Sequence, residues 1–581
     1  MRHISPSITG SRKRPALRRG LLAALLVALF SAQLPTALTA EGTRYREPVR
    51  GSKGVVASVH PLAADAAMSI LDQGGNAIDA AVAAVFAVGV TRPDMCGIGG
   101  GGFLVYRSAG GRIAALDFRE TAPSRYTFRD GSAYWGTGHE VVGVPGTVAG
   151  MAAALRRFGT KSLTDVISPA EALARDGFPV SPELSQDMAL NAHRLRVFAE
   201  SARIYLVGGT LPYPPGATLV QEDYADSLEL IATRGPRAFY EGKIASLLIE
   251  EMKRSGSSTM RARDVASYRP IWRQPIVSRY RGRRVIGMPP PASGGVAIAE
   301  MLNILRGFDL AKAGQTSADH LHYLAEAQKI AWADRAAYVG DPAYVDVPTG
   351  WLTSGRYASQ RRAEIEPDQA KEYEAGKRPR SSAPDVWADD SGHQAHTTHV
   401  SVIDKAGNAV AVTCTIEQVF GSAVVAPGTG FLLNNELTDF DNQRGHPNAP
   451  APGKRPRSSM SPTLVVEDGK AVLAVGGAGG PCIIMGVLQT IVNTIDFDLN
   501  VAQAVDAERI DARCFFDDMG IEDARVPLGS QEELERRGHR LQREGEYFII
   551  PVVQAAAYDA ESGERSAFSD PRSEWGSSAQ D

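Results

Sequence analysis

The stretch from residue 397 to 415 constrains this chain more than any other. Thr397-Thr398-His399 ends a polar, Pro- and Ser-containing run from about Lys371 to His396 and opens an alternating segment, His-Val-Ser-Val-Ile-Asp. Val400–Ile403 and Ala409–Thr415 flank Lys405–Asn408, a pattern that predicts a β-hairpin. Thr-Thr at a strand start satisfies ordinary β propensity. It also carries chemistry. A threonine freed as a new N-terminus holds nucleophile and base in one residue, because its hydroxyl attacks while its α-amine takes the proton. The preceding run has no apolar periodicity, which predicts the exposed loop that such a cut requires.

The rest of the chain alternates between paired strands and helices. Leu464–Val466 and Ala471–Val475 flank Asp468-Gly469 as a second hairpin, and a helix is expected from about Ile483 to Asp496 after the glycines at 476–480. Nearer the N-terminus, Ala63–Gln73 and Ala77–Val90 predict helices parted at Gly74-Gly75. Phe103–Tyr106 and Ile113–Phe118 predict strands paired across Ser108–Gly111. From Val148 to about Val339 the pattern is mostly helical, interrupted by Met288-Pro289-Pro290-Pro291 and Ser293-Gly294-Gly295. Strands and helices in separate blocks predict a layered α+β architecture rather than strict βαβ repetition.

At 581 residues the chain needs two or more units, or one large layered domain. With 44% hydrophobic and 22% charged residues it is globular. The net charge is −4, and residues 1–40 hold six Lys/Arg and no acid, so the remainder is more acidic still. That balance argues against a nucleic-acid surface. Residues 1–40 predict an export signal, with Arg12, Lys13, Arg14, Arg18 and Arg19 ahead of an apolar Leu21–Leu34. Arg18-Arg19 fits either a twin-arginine or an ordinary secretory n-region, and the expected location is periplasmic or secreted. Cys96, Cys414, Cys482 and Cys514 show no CxxC spacing and suggest no zinc site. The apolar surroundings of Cys414 and Cys482 suit buried free thiols.

Several clusters carry candidate chemistry beside a plain structural reading. Gly97-Ile98-Gly99-Gly100-Gly101-Gly102 satisfies GxGxxG but follows a helix and leads into a strand, the reverse of a dinucleotide site, so close backbone packing is the better account. His393, His396 and His399 are spaced by three. With no acidic or cysteine partner built in, they fit exposed histidines around a processing site better than a metal centre. Arg119 ends a strand, where it is suited to hold a carboxylate or to pair with Glu120 at the surface. Glycines 476–480 precede a helix and leave backbone N–H groups unshielded, which suits an oxyanion or a plain turn. Ser458-Ser459 offer hydroxyl donors, and Asn434-Asn435-Glu436 with Asp439 offer acceptors for an ammonium.

Taken together these pieces resemble the γ-glutamyltranspeptidases (glutathione hydrolases). The likeness runs from about Val55 to Ser573. It includes Gly74-Gly75-Asn76-Ala77-Ile78-Asp79-Ala80-Ala81, Phe118-Arg119-Glu120, Val144-Pro145-Gly146-Thr147, Ala333-Asp334-Arg335 with Gly340-Asp341-Pro342, Thr397-Thr398-His399, Lys454-Arg455-Pro456 with Ser458-Ser459-Met460-Ser461-Pro462-Thr463, and Ser569-Asp570-Pro571-Arg572. The resemblance implies an N-terminal-nucleophile hydrolase with a four-layer αββα sandwich. It implies a precursor that cuts itself between His396 and Thr397 into a large subunit, residues 41–396, and a small one, residues 397–581. In that reading Thr397 is the nucleophile, Thr415 orients it, and Gly479 and Gly480 form the oxyanion hole. Arg119, Ser458 and Ser459 grip the α-carboxylate of a γ-glutamyl group, while Glu417, Glu436 and Asp439 receive its ammonium. Donors such as glutathione, acceptors such as water, amino acids or peptides, and no metal or cofactor are implied.

The chain departs from the family pattern in places. Many relatives carry Asn at the position of Glu417 and Gln at that of Glu436. Ala478 and Pro481 replace Pro and Ser around the glycine pair. The segment between Asp439 and Ser458 is some ten residues shorter than in members with a substrate-covering lid, which implies a more open site. Related cephalosporin acylases share the scaffold, so a glutaryl-type amidase is the alternative activity, and an inactive γ-glutamyl-binding relative is the alternative class.

Overall fold

The computed structural model describes residues 46–126, 136–379, 395–513, 518–545, 551–574 and 576–581. The expected export segment, His393 and most of the loop expected before Thr397 lie outside the described residues. Among those described, no helix is long and apolar enough to cross a membrane.

Fourteen strands build two sheets. Along the chain they are β1 (Val49–Gly51), β2 (Gly54–Ser58), β3 (Gly101–Arg107), β4 (Ile113–Asp117), β5 (Ile271–Arg273), β6 (Ile276–Tyr280), β7 (Arg283–Gly287), β8 (Ala395–Ile403), β9 (Ala409–Gln418), β10 (Thr463–Glu467), β11 (Lys470–Ala478), β12 (Val552–Tyr558), β13 (Arg565–Ser569) and β14 (Gly576–Gln580). One seven-stranded sheet runs β1-β13-β12-β11-β10-β7-β6, the other β14-β2-β8-β9-β3-β4-β5. Neighbours in both are antiparallel. Each sheet therefore mixes strands from before and after residue 397, and a cut there would leave the two pieces sharing both sheets.

The period-two pattern decides the layering. In the second sheet Val56, Leu104, Leu116, Val400, Val402, Val410 and Val412 pack on one side with α1 (Pro61–Asp72) and α2 (Ala77–Thr91). Their alternates Val55, Ala57, Phe103, Val105, Ala115 and Ala411 join the core shared with the first sheet. That core continues to α3 (Gly294–Leu305), α4 (Ala318–Tyr338) and α5 (Ile483–Asp496) on the far side. Both sheets are thus covered on both faces, giving helix, sheet, sheet, helix. Asn76 and Asp79 close a capping box at the start of α2, and α1 ends just before Gly74 at φ 82°.

Three expectations are corrected. The segment read as mostly helical contains β5, β6 and β7 between residues 271 and 287. His399 is not exposed: it is fully buried between the sheets, 2.7 Å from the Thr413 hydroxyl and 3.0 Å from that of Ser401, and burial lowers its pKa to about 3. It fits there because β11 offers Gly476, where a Cβ would lie 2.2 Å from the ring. Cys414 is not a free thiol but forms a disulfide with Cys96, and Cys482 is likewise disulfide-bonded.

Candidate active site

Thr397 and Thr415 face each other because β8 and β9 pair in that register, past a bulge between Ala395 and Thr397. Thr397 donates to the Thr415 hydroxyl at 3.3 Å. Thr415 in turn donates to the His396 carbonyl oxygen at 2.9 Å and accepts from the Glu417 N–H at 2.8 Å. The glycine turn after α2 supports this geometry from behind. Gly101 pairs with Thr415, and a Cβ on Gly100 would lie 2.0 Å from the Thr415 carbonyl oxygen. Close backbone packing is therefore what these glycines provide.

At Glu417, the last residue but one of β9, the backbone turns to φ 80°, a left-handed conformation unusual for a side-chain-bearing residue. This turn brings the Glu417 carboxyl to the cleft, where it accepts from Thr438 at 3.0 Å. Across the cleft, β11 ends at Ala478 and the chain reverses through Gly479 (φ 121°) and Gly480 (φ 57°) into a short turn before α5. Gly480 borders the same cavity as Thr397 and Thr415. Pro481 removes one N–H from this turn, in the first helical turn, where no N–H has a partner within the helix.

Arg119 is fully buried. The surface pair with Glu120 considered above is not what forms. Its guanidinium contacts the carboxylates of Glu436 and Asp439, with Glu120 at 3.9 Å, and donates to the carbonyls of Pro456 (3.3 Å) and Arg457 (3.1 Å). Burial works against this charge, but Glu436, Asp439 and Glu120 outweigh it and raise the pKa. Burial also pushes the carboxyls of Glu417 and Glu436 well above the usual carboxylate range and raises Glu120 to about 7, with Arg119 opposing each. Asp439 stands nearest the mouth, its side chain 25% exposed.

Asn434 and Asn435 are consumed by the scaffold rather than offered to a ligand. Asn434 bonds Gly99 and Gly143 and so fixes the loop that carries Glu436, and Asn435 bonds Gly136 and Gln418. On the opposite wall Ser458 is held through its backbone by Pro291 (3.0 Å) and Ser293 (2.7 Å). Ser459 accepts from Arg335, which reaches in from α4 at 2.9 Å and also bonds Ser293. Arg335 and Arg457 line the cavity, as Ser458 and Ser459 do. Neither arginine, nor Glu120, was assigned to the site from sequence. Their signal was present in Ala333-Asp334-Arg335 and in the basic run after Gly453, but with no partner in view. The cavity measures about 40 Å³, room for a few waters.

Among the described residues, His322, Glu326 and His539 form a group of metal-ligating type. Its ligand atoms are already engaged. Glu326 accepts from Lys329 (2.7 Å) and Tyr373 (2.6 Å), and His322 sits 2.8 Å from both His539 and the Glu366 carbonyl.

Two face-packed antiparallel sheets between helical layers, with the threonine pair opening onto the cleft between them, are the N-terminal-nucleophile hydrolase fold. The cephalosporin acylase structure from Bacillus halodurans superposes with a TM-score of 0.84 at 29% identity, over 94% of this chain and 100% of that one. A sequence profile of the gamma-glutamyltranspeptidase family matches residues 63–579. The glutathione hydrolase proenzyme of Escherichia coli is 43% identical over 85% of this chain and 87% of its own length. The acylase ACY 1 proenzyme of a Pseudomonas species is 42% identical over 88% and 92%. The chain belongs to the gamma-glutamyltranspeptidase family and is an enzyme.

Proposed function

We propose that this chain is a γ-glutamyl hydrolase and transferase, acting on glutathione and similar γ-glutamyl amides, that matures by cutting itself between His396 and Thr397. One observation carries this reading. The cleft beside Thr397 gathers three carboxyls, Glu417, Glu436 and Asp439, on one side, the hydroxyls of Ser458 and Ser459 on the other, and Arg119 between them. That is a receptor for a zwitterion, with a cation site and an anion site lining the same cavity as the nucleophile.

In maturation the Thr397 hydroxyl attacks the His396 carbonyl carbon, the C–N bond breaks, and an ester forms. Water then opens the ester, leaving a carboxylate on His396 and a free amine on Thr397. In turnover that amine takes the hydroxyl proton as Oγ attacks the γ-carbonyl, then returns it to the leaving amine. N–H groups of Gly479 and Gly480 receive the oxyanion. The acyl-enzyme passes to water or to an amino acid or peptide acceptor. Arg119 holds the α-carboxylate by giving up part of its contact with Glu436 and Asp439, whose charge the incoming ammonium then balances.

The pieces before and after the cut would stay together as a heterodimer through the shared sheets. The basic, then apolar, N-terminal segment supports export to the periplasm or beyond. The short segment between Asp439 and Ser458 supports acceptance of bulky donors. A second reading, a β-lactam side-chain amidase, is favoured by the likeness to cephalosporin acylase. Turnover of γ-glutamyl- and glutaryl-p-nitroanilide at about pH 8 separates the two: γ-glutamyl preference is expected, and glutaryl preference would overturn the first reading.

A further inference from the structure

Glu417, Glu436 and Asp439 line one cavity with the Arg119 guanidinium, and a fourth carboxyl, Glu120, lies 3.9 Å from that guanidinium. The surplus acid is not neutralised by hydrogen bonds. Glu417 Oε1 and Glu436 Oε2 are out of solvent and accept none among the described residues. Glu417 has only the Thr438 hydroxyl on its other oxygen, and Glu436 shares Arg119 with the neighbouring acids; a buried carboxylate so incompletely paired costs more than the neutral acid, so an empty site favours protons on these groups. A cation placed between them reverses that preference.

Resting on the γ-glutamyl reading above, we propose that Glu417 and Glu436 choose the acyl donor by their protonation. Ionised, they take a γ-glutamyl group with its α-ammonium; protonated, they take a glutaryl group, which is the same acyl chain without the ammonium. Binding of the first donor releases to solvent the protons these carboxyls carried. Binding of the second leaves them in place, where each acid is a neutral hydrogen-bonding group.

The charges around each acid support this sense. Glu417 is raised by burial and by Asp439, against the Thr438 hydrogen bond, Arg119 and Arg194. Glu436 is raised by burial, Glu120, Asp439 and Glu417, against Arg119. Arg335 and Arg457 line the same cavity and stay charged throughout the accessible pH range. The Thr397 amine, free after maturation, titrates as well but serves both donors alike.

The test uses the processed enzyme with L-γ-glutamyl- and glutaryl-p-nitroanilide between about pH 6 and pH 8.5. The quantity read is the ratio of the two kcat/KM values, in which the titration of the shared nucleophile cancels. We expect the ratio to climb with pH by at least about tenfold, approaching tenfold per unit where one carboxyl titrates. Glu417→Gln and Glu436→Gln, made singly, should each flatten the climb. A ratio flat within about twofold in the wild-type enzyme, or no glutaryl turnover at about pH 6, overturns the proposal while γ-glutamyl turnover stands. Absence of γ-glutamyl turnover at every pH overturns the underlying function instead.

Discussion

The Thr415 hydroxyl donates to the carbonyl oxygen of His396 at 2.9 Å, the carbonyl of the peptide bond that precedes Thr397. In the maturation proposed above, this oxygen would gather negative charge as Thr397 attacks, and Thr415 would stabilise that charge as well as orient the nucleophile. Thr415→Val keeps the shape and β propensity but deletes the donor. Loss of one oxyanion donor typically costs about a hundredfold to a thousandfold. Self-cleavage of the variant should slow by that order, seen as persistent full-length chain on a denaturing gel, and cleavage at the wild-type rate would contradict the role.

Gly100 presses on the same strand from the other side. A methyl group there would meet the Thr415 carbonyl at 2.0 Å, and backbone cannot swing away as a long side chain can. Gly100→Ala should displace Thr415 and destabilise the fold by roughly 1–3 kcal/mol. Thermal melting and cleavage rate should fall together. A variant with normal melting and normal processing would show that the contact is not needed.

Arg119 serves two acids and two carbonyls at once, which a planar fork can do and a single ammonium cannot. Arg119→Lys keeps the charge and loses this geometry. The KM for a γ-glutamyl amide should rise by about tenfold or more, with a smaller change in kcat. Unchanged KM would remove Arg119 from substrate recognition.

A second buried cluster makes stability depend on pH. Arg92 is surrounded by Asp94, Glu183, Asp187 and Glu574. Burial and then Asp94 push Asp187 up to about 8, and burial pushes Glu574 up to about 7. Both folded-state values lie above the ordinary carboxylate value of about 4. The fold therefore favours the protonated acids, and their contribution, full below about pH 4, is lost as pH rises toward 7 and 8. Asp187→Asn fixes the neutral form. Its Tm should exceed the wild type's by about 2 °C or more at pH 8.5 and by little at pH 5. An equal shift at both values would exclude titration of Asp187 as the cause.

Local pattern carried much of this fold. The hairpin around Lys405–Asn408 and the helix Ile483–Asp496 were legible because alternation and a 3.6-residue period each ran uninterrupted between turn residues. β6 was not, although Ile276, Ser278 and Tyr280 alternate with exposed Val277 and Arg279. Five residues at a sheet edge, among arginines, leave too short a signal inside a helical neighbourhood. The Cys96–Cys414 bond joins residues 318 apart, and only the packing of the turn after α2 against β9 brings them together. Thr397 stood out at its loop-to-strand junction, and Glu436 and Asp439 as acceptors for an ammonium; Thr415 and Glu417 were named by resemblance to a family. That Arg119 would pair with Glu436 and Asp439 with Glu120 beside it, and that Arg335 and Arg457 would line the same cavity, is set by the meeting of four separate parts of the chain, α4 among them.

The proposal as a whole turns on the bond between His396 and Thr397, and the N-terminal sequence of the smaller chain in active enzyme tests it directly. We expect that chain to begin Thr-Thr-His-Val, and Thr397→Ala to remain one uncut, inactive polypeptide. Full γ-glutamyl amide turnover by protein in which this bond is intact would contradict the account.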